Sequence, residues 1–466
     1  MIKEIVLVSP RGFCAGVTRS INVVKDVLDL FGAPVYIKHA IVHNNTVIRD
    51  LEKRGAIIVD EVKDIPRGAV AVFSAHGSPP EHFEQAKKRG IKVIDATCPL
   101  VTKVHFEMIS ALKKGWQPVY IGHKGHVEAV GVLGEALVYG VNVPVVSSVD
   151  DVGKLKLDLD DGQVIMVLVQ TTFNVEKVKK VIKALRDKFE NVVEPPEKDI
   201  CYATTNRQSA IKKLAQEVDL VLVVGSKESS NSNRLVEVAK GEGVPAYLIE
   251  NLDDIDEKWL KGIDAVGLSA GASAPETVVR EIVDYFTDKG IAKRNLIDKE
   301  EQMFFSEPLE LKKMKKARED ALMEKIEINF NKGKLEGMTE KFLVDFIVNL
   351  LRLLIKDGKI KIYKKIVLSV AVVEKEDIKK MNKKYRKSDS VTDVLSFCYE
   401  NQDDLLEGEI ILCDSVIRKN AREDGVSFES EFLKNIVHSV LHIIGYEHGE
   451  EMFALQELLL KKLDAN

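Results

Sequence analysis

The chain has 466 residues, of which 45% are hydrophobic and 30% are charged, a balance typical of globular proteins rather than disordered or fibrous ones. A net charge of −5 gives no overall basic character that would indicate nucleic acid, although a local basic site is still allowed. The start lacks a basic leader and cleavage site, and the most apolar later run, 342–355, is interrupted by Asp345, Asn349 and Arg352. We therefore expect neither a secreted nor a membrane protein.

From residue 1 to about 285, short apolar runs alternate with amphipathic segments, as in 70–73 followed by 80–89. This alternation predicts parallel α/β units. A strand-like run, a cysteine and a helix start recur at Cys14, Cys98 and Cys201, which predicts three similar lobes. The predicted fold class is therefore α/β, with a three-lobed parallel α/β domain over 1–313.

Residues 288–320 are rich in Lys, Glu, Arg and Met without an apolar period, which indicates a tail and a linker. We place the linker at 314–322. A second domain over 323–466 follows, with strands and helices that predict a smaller α+β fold ending in two helices. About 145 residues are enough for a core of its own.

The histidines also divide the chain. Seven of the ten fall in the first 126 residues and three in the last thirty, with none between them. The five cysteines are too few, and odd in number, for a disulfide scaffold. These distributions predict two separate chemistries on one chain.

Cys14, Cys98 and Cys201 each lie in a loop just before a predicted helix. The electropositive start of a helix favours the thiolate, which is the form of cysteine that binds metals. The alternative is three unrelated buried cysteines, since the chain has no C-x-x-C pair among them.

Polar loops rich in Gly, Ser, Asn and His recur in the same half of the chain, at 43–46, 74–80, 122–128, 170–172, 225–234 and 269–275. The last two precede predicted helices, whose free N–H groups suit a phosphate or diphosphate. Each loop alone is typical of an ordinary turn and helix cap. Together with the cysteines, the loops indicate a metal site beside an anion site.

These stretches, and the segment MFFSEP at 303–308, closely resemble the LytB/IspH family of 4-hydroxy-3-methylbut-2-enyl diphosphate reductases, the last enzymes of the non-mevalonate isoprenoid pathway. The resemblance covers residues 1 to about 313. It implies a 4Fe–4S cluster held by Cys14, Cys98 and Cys201, with one iron left open. It also implies an electron donor such as ferredoxin or flavodoxin.

The same resemblance implies the residues that meet the allylic diphosphate substrate. Glu128, Thr171 and His126 are the implied catalytic residues, with Glu128 as proton donor and Thr171 orienting the substrate hydroxyl. The implied substrate-binding residues are His43, His76, His126, Thr171, Ser229, Ser230, Asn231 and Ser273. The products would be isopentenyl and dimethylallyl diphosphate. An open-iron hydro-lyase or an iron–sulfur sensor is the alternative, and neither needs an electron donor.

The last third contains the pattern H-x-x-x-H-x-x-G-x-x-H at His438, His442 and His448. Spacing i, i+4 puts the first two histidines on one face of a predicted helix, and Gly445 allows the chain to turn so that His448 returns. Three neutral imidazoles and a water are typical of catalytic zinc. A metzincin-like protease is one interpretation, but it requires a glutamate where Ser439 stands, and Glu447 does not replace it simply.

The stretches MNKKYR at 381–386 and TDVLSF at 392–397 complete a resemblance to YbeY, a zinc-dependent single-strand endoribonuclease of rRNA maturation. The family usually has Gly at the position of Ser439 and Asp at that of Glu447. The resemblance implies zinc at the three histidines, rRNA or the ribosome as partner, and Arg386 as a phosphate-contacting catalytic residue. The basic run around it, Lys379, Lys380, Lys383, Lys384, Arg386 and Lys387, favours RNA.

Cys398 and Cys413 have no paired spacing with the histidines, so we interpret them as core cysteines. Unpaired thiols, iron–sulfur chemistry and an RNA substrate together predict a cytoplasmic protein without a membrane partner.

Overall fold

The computed structural model describes residues 2–194, 199–323, 325–331, 338–360, 363–402 and 404–464. They divide into two compact units, residues 1–313 and 314–466. The first unit is built on parallel sheets, and the second has a smaller mixed sheet. The predicted fold class is confirmed.

The elements of the first unit alternate between strands and helices. The first half contains β1 (Glu4–Ser9), α1 (Ala15–Phe31), β2 (Val35–Lys38), α2 (Asn45–Lys53), β3 (Ala56–Val59), β4 (Val70–Phe73), α3 (Pro80–Lys88), β5 (Lys92–Asp95) and α4 (Pro99–Lys113). The middle contains β6 (Gln117–Ile121), α5 (Val127–Val138), β7 (Val145–Val146), α6 (Val149–Lys154), β8 (Ile165–Val169), α7 (Val175–Lys188) and β9 (Val192–Val193). The last part contains α8 (Tyr202–Ala215), β10 (Leu220–Val224), α9 (Ser230–Gly241), β11 (Ala246–Ile249), β12 (Ala265–Ala270), α10 (Glu276–Thr287) and β13 (Ala292–Ile297).

Three parallel sheets form the three predicted lobes. Their strand orders are β11-β10-β12-β1-β13, β3-β2-β4-β5 and β7-β6-β8-β9. In β1 the run 5–8 is buried on both faces of the sheet, as parallel strands covered by helices require. The chain begins the five-stranded sheet with β1 and completes it only after both other sheets, so loops from all three lobes belong to one unit.

The candidate site residues lie in loops and first helical turns that follow the carboxyl ends of these parallel strands. Cys14 follows β1, His76 follows β4, Cys98 follows β5 and Glu128 follows β6. Ligand sites in parallel α/β proteins form at this edge, because the loops there lead into helix N-termini. The topology therefore gathers residues that are far apart in sequence.

The predicted linker 314–322 is helical, lying within helix α11 (Leu309–Met323). The sequence offered no apolar period here, but Leu, Lys, Glu, Ala and Met are strong helix formers, so local propensity is sufficient. Leu311 is fully buried in the first unit's core, which contains Val24 and Val27 of α1. The helix therefore begins as part of the first unit.

The second unit contains β14 (Ile326–Asn331), α12 (Glu340–Lys356), β15 (Lys365–Val372), α13 (Lys375–Arg386), β16 (Val394–Gln402), β17 (Leu405–Leu412), α14 (Asp414–Asp424), α15 (Phe428–Ile443) and α16 (Glu450–Asp464). Its strand order is β14-β15-β17-β16, with β16 antiparallel to β17. Three helices follow β17 rather than the expected two, because Gly425 in left-handed conformation ends α14 and Ser427 caps α15.

Helix α15 lies in the core of the second unit. Phe432, Ile436, Val440 and Leu441 pack with buried residues of α12 and the sheet. This packing fixes the rotation of the helix, and with it the face that carries the first two histidines of the motif. Within the described part of the chain, no helix is both long and apolar enough to cross a membrane.

Candidate functional site

Three cysteines cap three helices in the first unit. Cys14, Cys98 and Cys201 are the N-cap residues of α1, α4 and α8. The Sγ atom of Cys14 accepts a hydrogen bond from the N–H of Val17 at 3.5 Å, and that of Cys201 accepts one from Thr204 at 3.3 Å. Capping thus fixes two of the sulfurs at helix starts.

A glycine in α1 leaves room for two of these sulfurs to approach. A Cβ atom at Gly16 would lie 2.7 Å from the Sγ of Cys98 and 3.8 Å from the Sγ of Cys14. Cys201 lines the same cavity as the other two cysteines. The structure therefore brings together three cysteines separated by 84 and 103 residues in sequence.

The spacing of the sulfurs decides what they could hold. One ion with bonds of about 2.3 Å requires sulfurs no more than about 4.6 Å apart. Among the described residues, three ligand atoms lie within 4.8 Å of one another in one place, at His438, His442 and His448. The three cysteine sulfurs do not form such a group. At least one pair of the sulfurs is therefore too far apart to share a single ion, and thiolates are the usual ligands of iron–sulfur clusters, so the donor set fits a polynuclear cluster.

The helix starts favour the thiolate at Cys98 and Cys201, as expected, but burial outweighs them. Burial raises the pKa of Cys98 to about 12 and that of Cys201 to about 11. Backbone N–H groups oppose the shift at both cysteines but do not overcome desolvation, which disfavours the charged form. The protein alone therefore keeps these thiols protonated, and metal binding would have to displace their protons.

One cavity is lined by every candidate residue of the first unit. The candidate residues on its wall are Cys14, His43, His76, Cys98, His126, Glu128, Thr171, Cys201, Ser229, Ser230, Asn231 and Ser273. The cysteines lie on the same wall as the polar loops, as the metal-beside-anion interpretation requires.

Glu128 is a buried carboxyl group held by the loop after β8. Its Oε1 accepts a hydrogen bond from the N–H of Thr171 at 2.6 Å, and its Oε2 accepts one from the Thr171 hydroxyl at 2.7 Å. The hydroxyl of Tyr120 approaches Oε1 at 3.4 Å. Burial raises the pKa of Glu128, while these donors oppose the rise. A carboxyl group in such surroundings is suited to hold and release a proton.

Three histidines form a second wall of the cavity. The rings of His43 and His76 are 4.4 Å apart, and His126 lies 6.4 Å from His43. Burial lowers the pKa of all three, to about 4 for His126. The Nδ1 of His126 accepts a hydrogen bond from the Glu128 N–H, and its buried Nε2 has no partner among the described residues. This orphaned atom fits a ligand in the cavity.

Hydroxyl and amide groups surround the start of helix α9. Ser229 caps the helix, and its Oγ lies 3.0 Å from that of Ser232 and 3.3 Å from that of Ser273. Asn231 accepts a hydrogen bond from the N–H of Ala272 at 3.0 Å. Helix N–H groups and several hydroxyl donors at one point are suited to an anion.

The cavity also includes residues that the sequence analysis did not assign. Thr172 donates a hydrogen bond to Ser230 at 3.1 Å, Thr204 lies 3.1 Å from the Cys201 sulfur, and Phe305 lines the cavity from the tail. Thr172 and Thr204 adjoin named residues, so proximity in sequence was a signal for them. Phe305 belongs to the resembling segment 303–308, but its role could not be inferred from sequence.

The second unit brings its three histidines together. The Nε2 atoms of His438, His442 and His448 lie 3.1 to 3.2 Å from one another. Nitrogens tetrahedrally bonded at about 2.05 Å to one ion would be about 3.3 Å apart. Gly445, with φ of 105°, follows the helix end and allows the return of His448. The arrangement fits one metal ion.

Hydrogen-bond acceptors beside the Nδ1 atoms of His438 and His442 set the orientation of these two imidazole rings. The Nδ1 of His438 lies 2.9 Å from the Oε1 of Gln456, and the Nδ1 of His442 lies 2.8 Å from the carbonyl of Tyr446. Both Nδ1 atoms therefore donate, which leaves the Nε2 lone pairs free for a cation. Gln456 was missed because it lies on α16, outside the histidine motif.

Arg386 is the last residue of α13 and lies close to the histidines. Burial lowers the pKa of His438 and His442, and the positive charge of Arg386 lowers both further. Part of the basic run is already neutralised, since Lys379 and Lys383 pair with Asp389 and Lys380 pairs with Asp377. Fewer cations of this run are therefore available to bind phosphate than the sequence suggests.

The interpretation of the last two cysteines was half right. Cys413 is fully buried, as expected, but Cys398 is exposed on β16. Its strand lies at the edge of the sheet and carries a β-bulge between Cys398 and Glu400, where the alternation of buried and exposed side chains is interrupted.

The fold and the two sites define a chain of two domains, an α/β domain with a cysteine-lined polar cavity and a smaller domain with a three-histidine site. Residues 5–287 match the family model described as LytB protein. The chain therefore belongs to the LytB family. Residues 327–464 match the model described as Endoribonuclease YbeY, so the chain also carries a YbeY domain. Both resemblances seen in the sequence are confirmed.

Curated relatives and a solved structure agree with the first match. The 4-hydroxy-3-methylbut-2-enyl diphosphate reductase of Actinobacillus pleuropneumoniae serotype 5b is 47% identical over 310 residues, covering 66% of this chain and 98% of the relative. That of Pectobacterium atrosepticum is 45% identical with the same coverage. The structure of the Plasmodium falciparum E-1-hydroxy-2-methyl-but-2-enyl-4-diphosphate reductase is 37% identical, with a TM-score of 0.65 over 68% of this chain and all of that one.

Proposed function

We propose that the first unit reduces 4-hydroxy-3-methylbut-2-enyl diphosphate to isopentenyl and dimethylallyl diphosphate. The observation that carries this proposal is the single cavity in which three cysteines meet a wall of histidines, hydroxyl groups and a buried carboxyl group. The reaction adds two electrons and two protons and releases the substrate hydroxyl as water. The cytoplasmic location expected from the sequence stays a prediction.

Cys14, Cys98 and Cys201 would hold a 4Fe–4S cluster, in agreement with their donor chemistry and their spacing. When bound, such a cluster supplies electrons and, with three protein ligands, one iron that can act as a Lewis acid. A donor such as ferredoxin or flavodoxin would deliver the electrons. The space beside Gly16 supports this assignment, since any side chain there would meet the sulfurs.

The polar wall would bind the diphosphate. Burial lowers the pKa of His43, His76 and His126, which favours the uncharged form of each. A diphosphate would favour their protonated forms, and the N–H groups at the start of α9 would add hydrogen bonds. Ser229, Ser230, Asn231 and Ser273 would complete the set of donors around the phosphates.

Glu128 would supply the proton that lets the substrate hydroxyl leave. Its raised pKa favours the protonated acid, and its two hydrogen bonds to Thr171 hold the carboxyl group in one orientation. Thr171 would also orient the substrate hydroxyl, which places donor and leaving group side by side. The Nδ1 atom of His126 accepts a hydrogen bond from the backbone N–H of Glu128, so His126 would connect the acid to the side of the cavity that binds the diphosphate.

An anaerobic assay with and without an electron donor tests the proposal. We expect isopentenyl and dimethylallyl diphosphate only when reductant is present, in amounts that match the electrons consumed. Turnover without reductant would instead support a hydro-lyase, and no turnover in either condition with a full cluster would support a sensor.

We further propose that the second unit is a zinc-dependent single-strand endoribonuclease of rRNA maturation. The carrying observation is the trio of Nε2 atoms 3.1 to 3.2 Å apart on His438, His442 and His448. A zinc ion bound there supplies a water of lowered pKa. Arg386 would hold a backbone phosphate beside the three histidines, as a planar guanidinium group can.

Cleavage assays on the full chain separate this function from the protease interpretation. We expect zinc-dependent cleavage of single-stranded rRNA fragments and no cleavage of casein. Ser439 is fully buried and stands where a metzincin has its glutamate, so no general base for proteolysis adjoins His438. Casein cleavage without RNA cleavage would overturn the nuclease assignment.

A further inference from the structure

Three aromatic side chains lie together on α13 and β16 of the second unit. The rings of Tyr385 and Phe397 meet edge to face, with centroids 5.2 Å apart and an angle of 71°. Phe397 packs in turn against the small core that contains Ile378 and Leu395. Tyr399 lies two residues along β16 from Phe397, at a β-bulge between Cys398 and Glu400 that interrupts the alternation of faces.

The Tyr385 ring is supported by Phe397 and is largely exposed. Its contact with Phe397 restricts the ring, yet 56% of Tyr385 is exposed. An exposed aromatic ring on a fixed support costs little entropy when a flat ligand stacks on it. Tyr385 immediately precedes Arg386, whose charge reaches His438 and His442. Tyr385 is therefore next in the chain to a residue whose charge acts on the candidate metal site.

The charges around Tyr385 favour a polyanion. The Nζ atom of Lys384 lies 4.9 Å from the Tyr385 ring centroid. Lys384 and Arg386 form no ion pair with any residue in the described ranges, in contrast to Lys379 and Lys383. Two cations without acidic partners thus flank the ring on the chain.

Tyr399 is about as exposed as Tyr385, but it is surrounded by acidic rather than basic side chains. It is 59% exposed, and its hydroxyl donates a hydrogen bond to Glu409. The hydrogen bond to Glu409, burial and the negative charges of Glu409 and Glu407 raise the pKa of Tyr399 to about 12. These carboxylates repel phosphate groups, so we expect an RNA strand bound at Tyr385 not to extend over Tyr399.

We propose that a base of single-stranded RNA stacks on the exposed ring of Tyr385, and that Lys384 moves from its place over the ring to contact, with Arg386, the adjoining phosphates. This inference rests on the nuclease function proposed above and adds a base-binding position to it. Stacking on an aromatic side chain accepts any base, since every base has a flat face, and alternating rings and cations are typical of single-strand binding surfaces. Tyr385 thereby positions the strand and does not take part in the bond cleavage.

The test compares Tyr385 with Tyr399 in the full chain with zinc bound. The probe is a fluorescent 2′-O-methyl 12-mer, followed by anisotropy. We expect Tyr385→Ala and Tyr385→Leu to weaken binding about 5- to 150-fold, the range for loss of one stacked base, and Tyr385→Trp to retain it. Tyr399→Ala should bind within twofold of the wild type. Leucine keeps apolar cover on Phe397, so it separates stacking from folding.

A second probe of the same length, with abasic positions throughout, tests stacking itself. The wild type and Tyr385→Ala should bind the abasic strand equally, because only the phosphates remain to be contacted. With cleavable RNA, Tyr385→Ala should raise KM and leave kcat within about threefold of the wild type.

The outcomes distinguish the two proposals. If the wild type binds and cleaves RNA but the Tyr385 variants bind equally well, the stacking inference is wrong and the nuclease function stands. Equal losses in the Tyr399 variant would also contradict it. If the wild type neither binds nor cleaves RNA, the nuclease function fails and the stacking inference with it.

Discussion

The Glu128 carboxylate accepts hydrogen bonds from both the backbone N–H and the side-chain hydroxyl of Thr171, at 2.6 and 2.7 Å. The two residues lie 43 positions apart, after neighbouring strands β6 and β8 of one sheet. The two hydrogen bonds hold the buried carboxyl group of Glu128 at the cavity wall. Substitutions at and around Glu128 can therefore test its role.

Replacing Glu128 with Gln should lower kcat of the reductase about 10²- to 10⁴-fold, because the amide cannot donate an acid proton. Substrate binding should remain, since the amide retains the shape of the side chain. Turnover and calorimetric binding of the substrate provide the two measurements. Glu84→Gln, exposed on α3 and outside the cavity wall, is the control. Normal turnover in E128Q would refute the proton-donor assignment.

Tyr120→Phe should shift the alkaline limb of the reductase pH profile to higher pH. Burial raises the pKa of Glu128, and the Tyr120 hydroxyl opposes that rise by donating to the charged form. Without the hydroxyl the pKa of Glu128 rises further, so the acid keeps its proton to higher pH. The measurement is kcat against pH, with exposed Tyr139→Phe as control. A limb that stays in place or moves to lower pH would contradict this relationship.

Cys98→Ser should lose the brown colour and most of the bound iron after anaerobic purification. The wild type should contain about four iron atoms and one zinc per chain. Metal analysis and the visible spectrum check this, and Cys398→Ser is the control because Cys398 is exposed and lies in the second unit. A coloured, fully loaded C98S variant would refute the role of Cys98 as ligand.

Gln456→Ala should weaken zinc binding about 10- to 100-fold, the usual effect of removing the hydrogen-bond partner of a metal-bound histidine. The Oε1 of Gln456 lies 2.9 Å from the Nδ1 of His438 and holds that ring. Zinc competition with a chelating dye measures the change, and Glu457→Ala, exposed on the same helix, is the control. Equal zinc affinity in the two variants would show that Gln456 does not orient the ligand.

A shortened chain that ends after residue 313 should retain the reductase activity. In that shortened chain, Leu311→Ala should lower the free energy of unfolding by about 2–5 kcal/mol. Leu311 is fully buried in the first unit's core, so its loss leaves a cavity beside α1. Leu309→Ala, at a position 67% exposed, should change it by less than about 0.5 kcal/mol. Urea unfolding measures both, and an inactive shortened chain would show that the units depend on each other.

The alternation of strands and helices was sufficient to predict the parallel α/β fold, because that pattern reflects local burial. The histidine motif likewise predicted its own geometry, since i, i+4 spacing and a glycine turn are properties of a few consecutive residues. The linker was the exception: its helix depends on propensity and on Leu311, which a search for an apolar period did not find. Cys398 was misjudged because strand position, not residue type, decides exposure.

The sequence by itself determined the elements, the candidate residues and the presence of two chemistries, because these depend on residue types and on short spacings. Only the tertiary structure decided that Cys14, Cys98 and Cys201 line one cavity, that burial outweighs the helix starts in setting the pKa of two of them, and that Gln456 holds His438. The reason is that such contacts join residues from different strands and helices. Their distances and their desolvation exist only once the sheets and helices have packed.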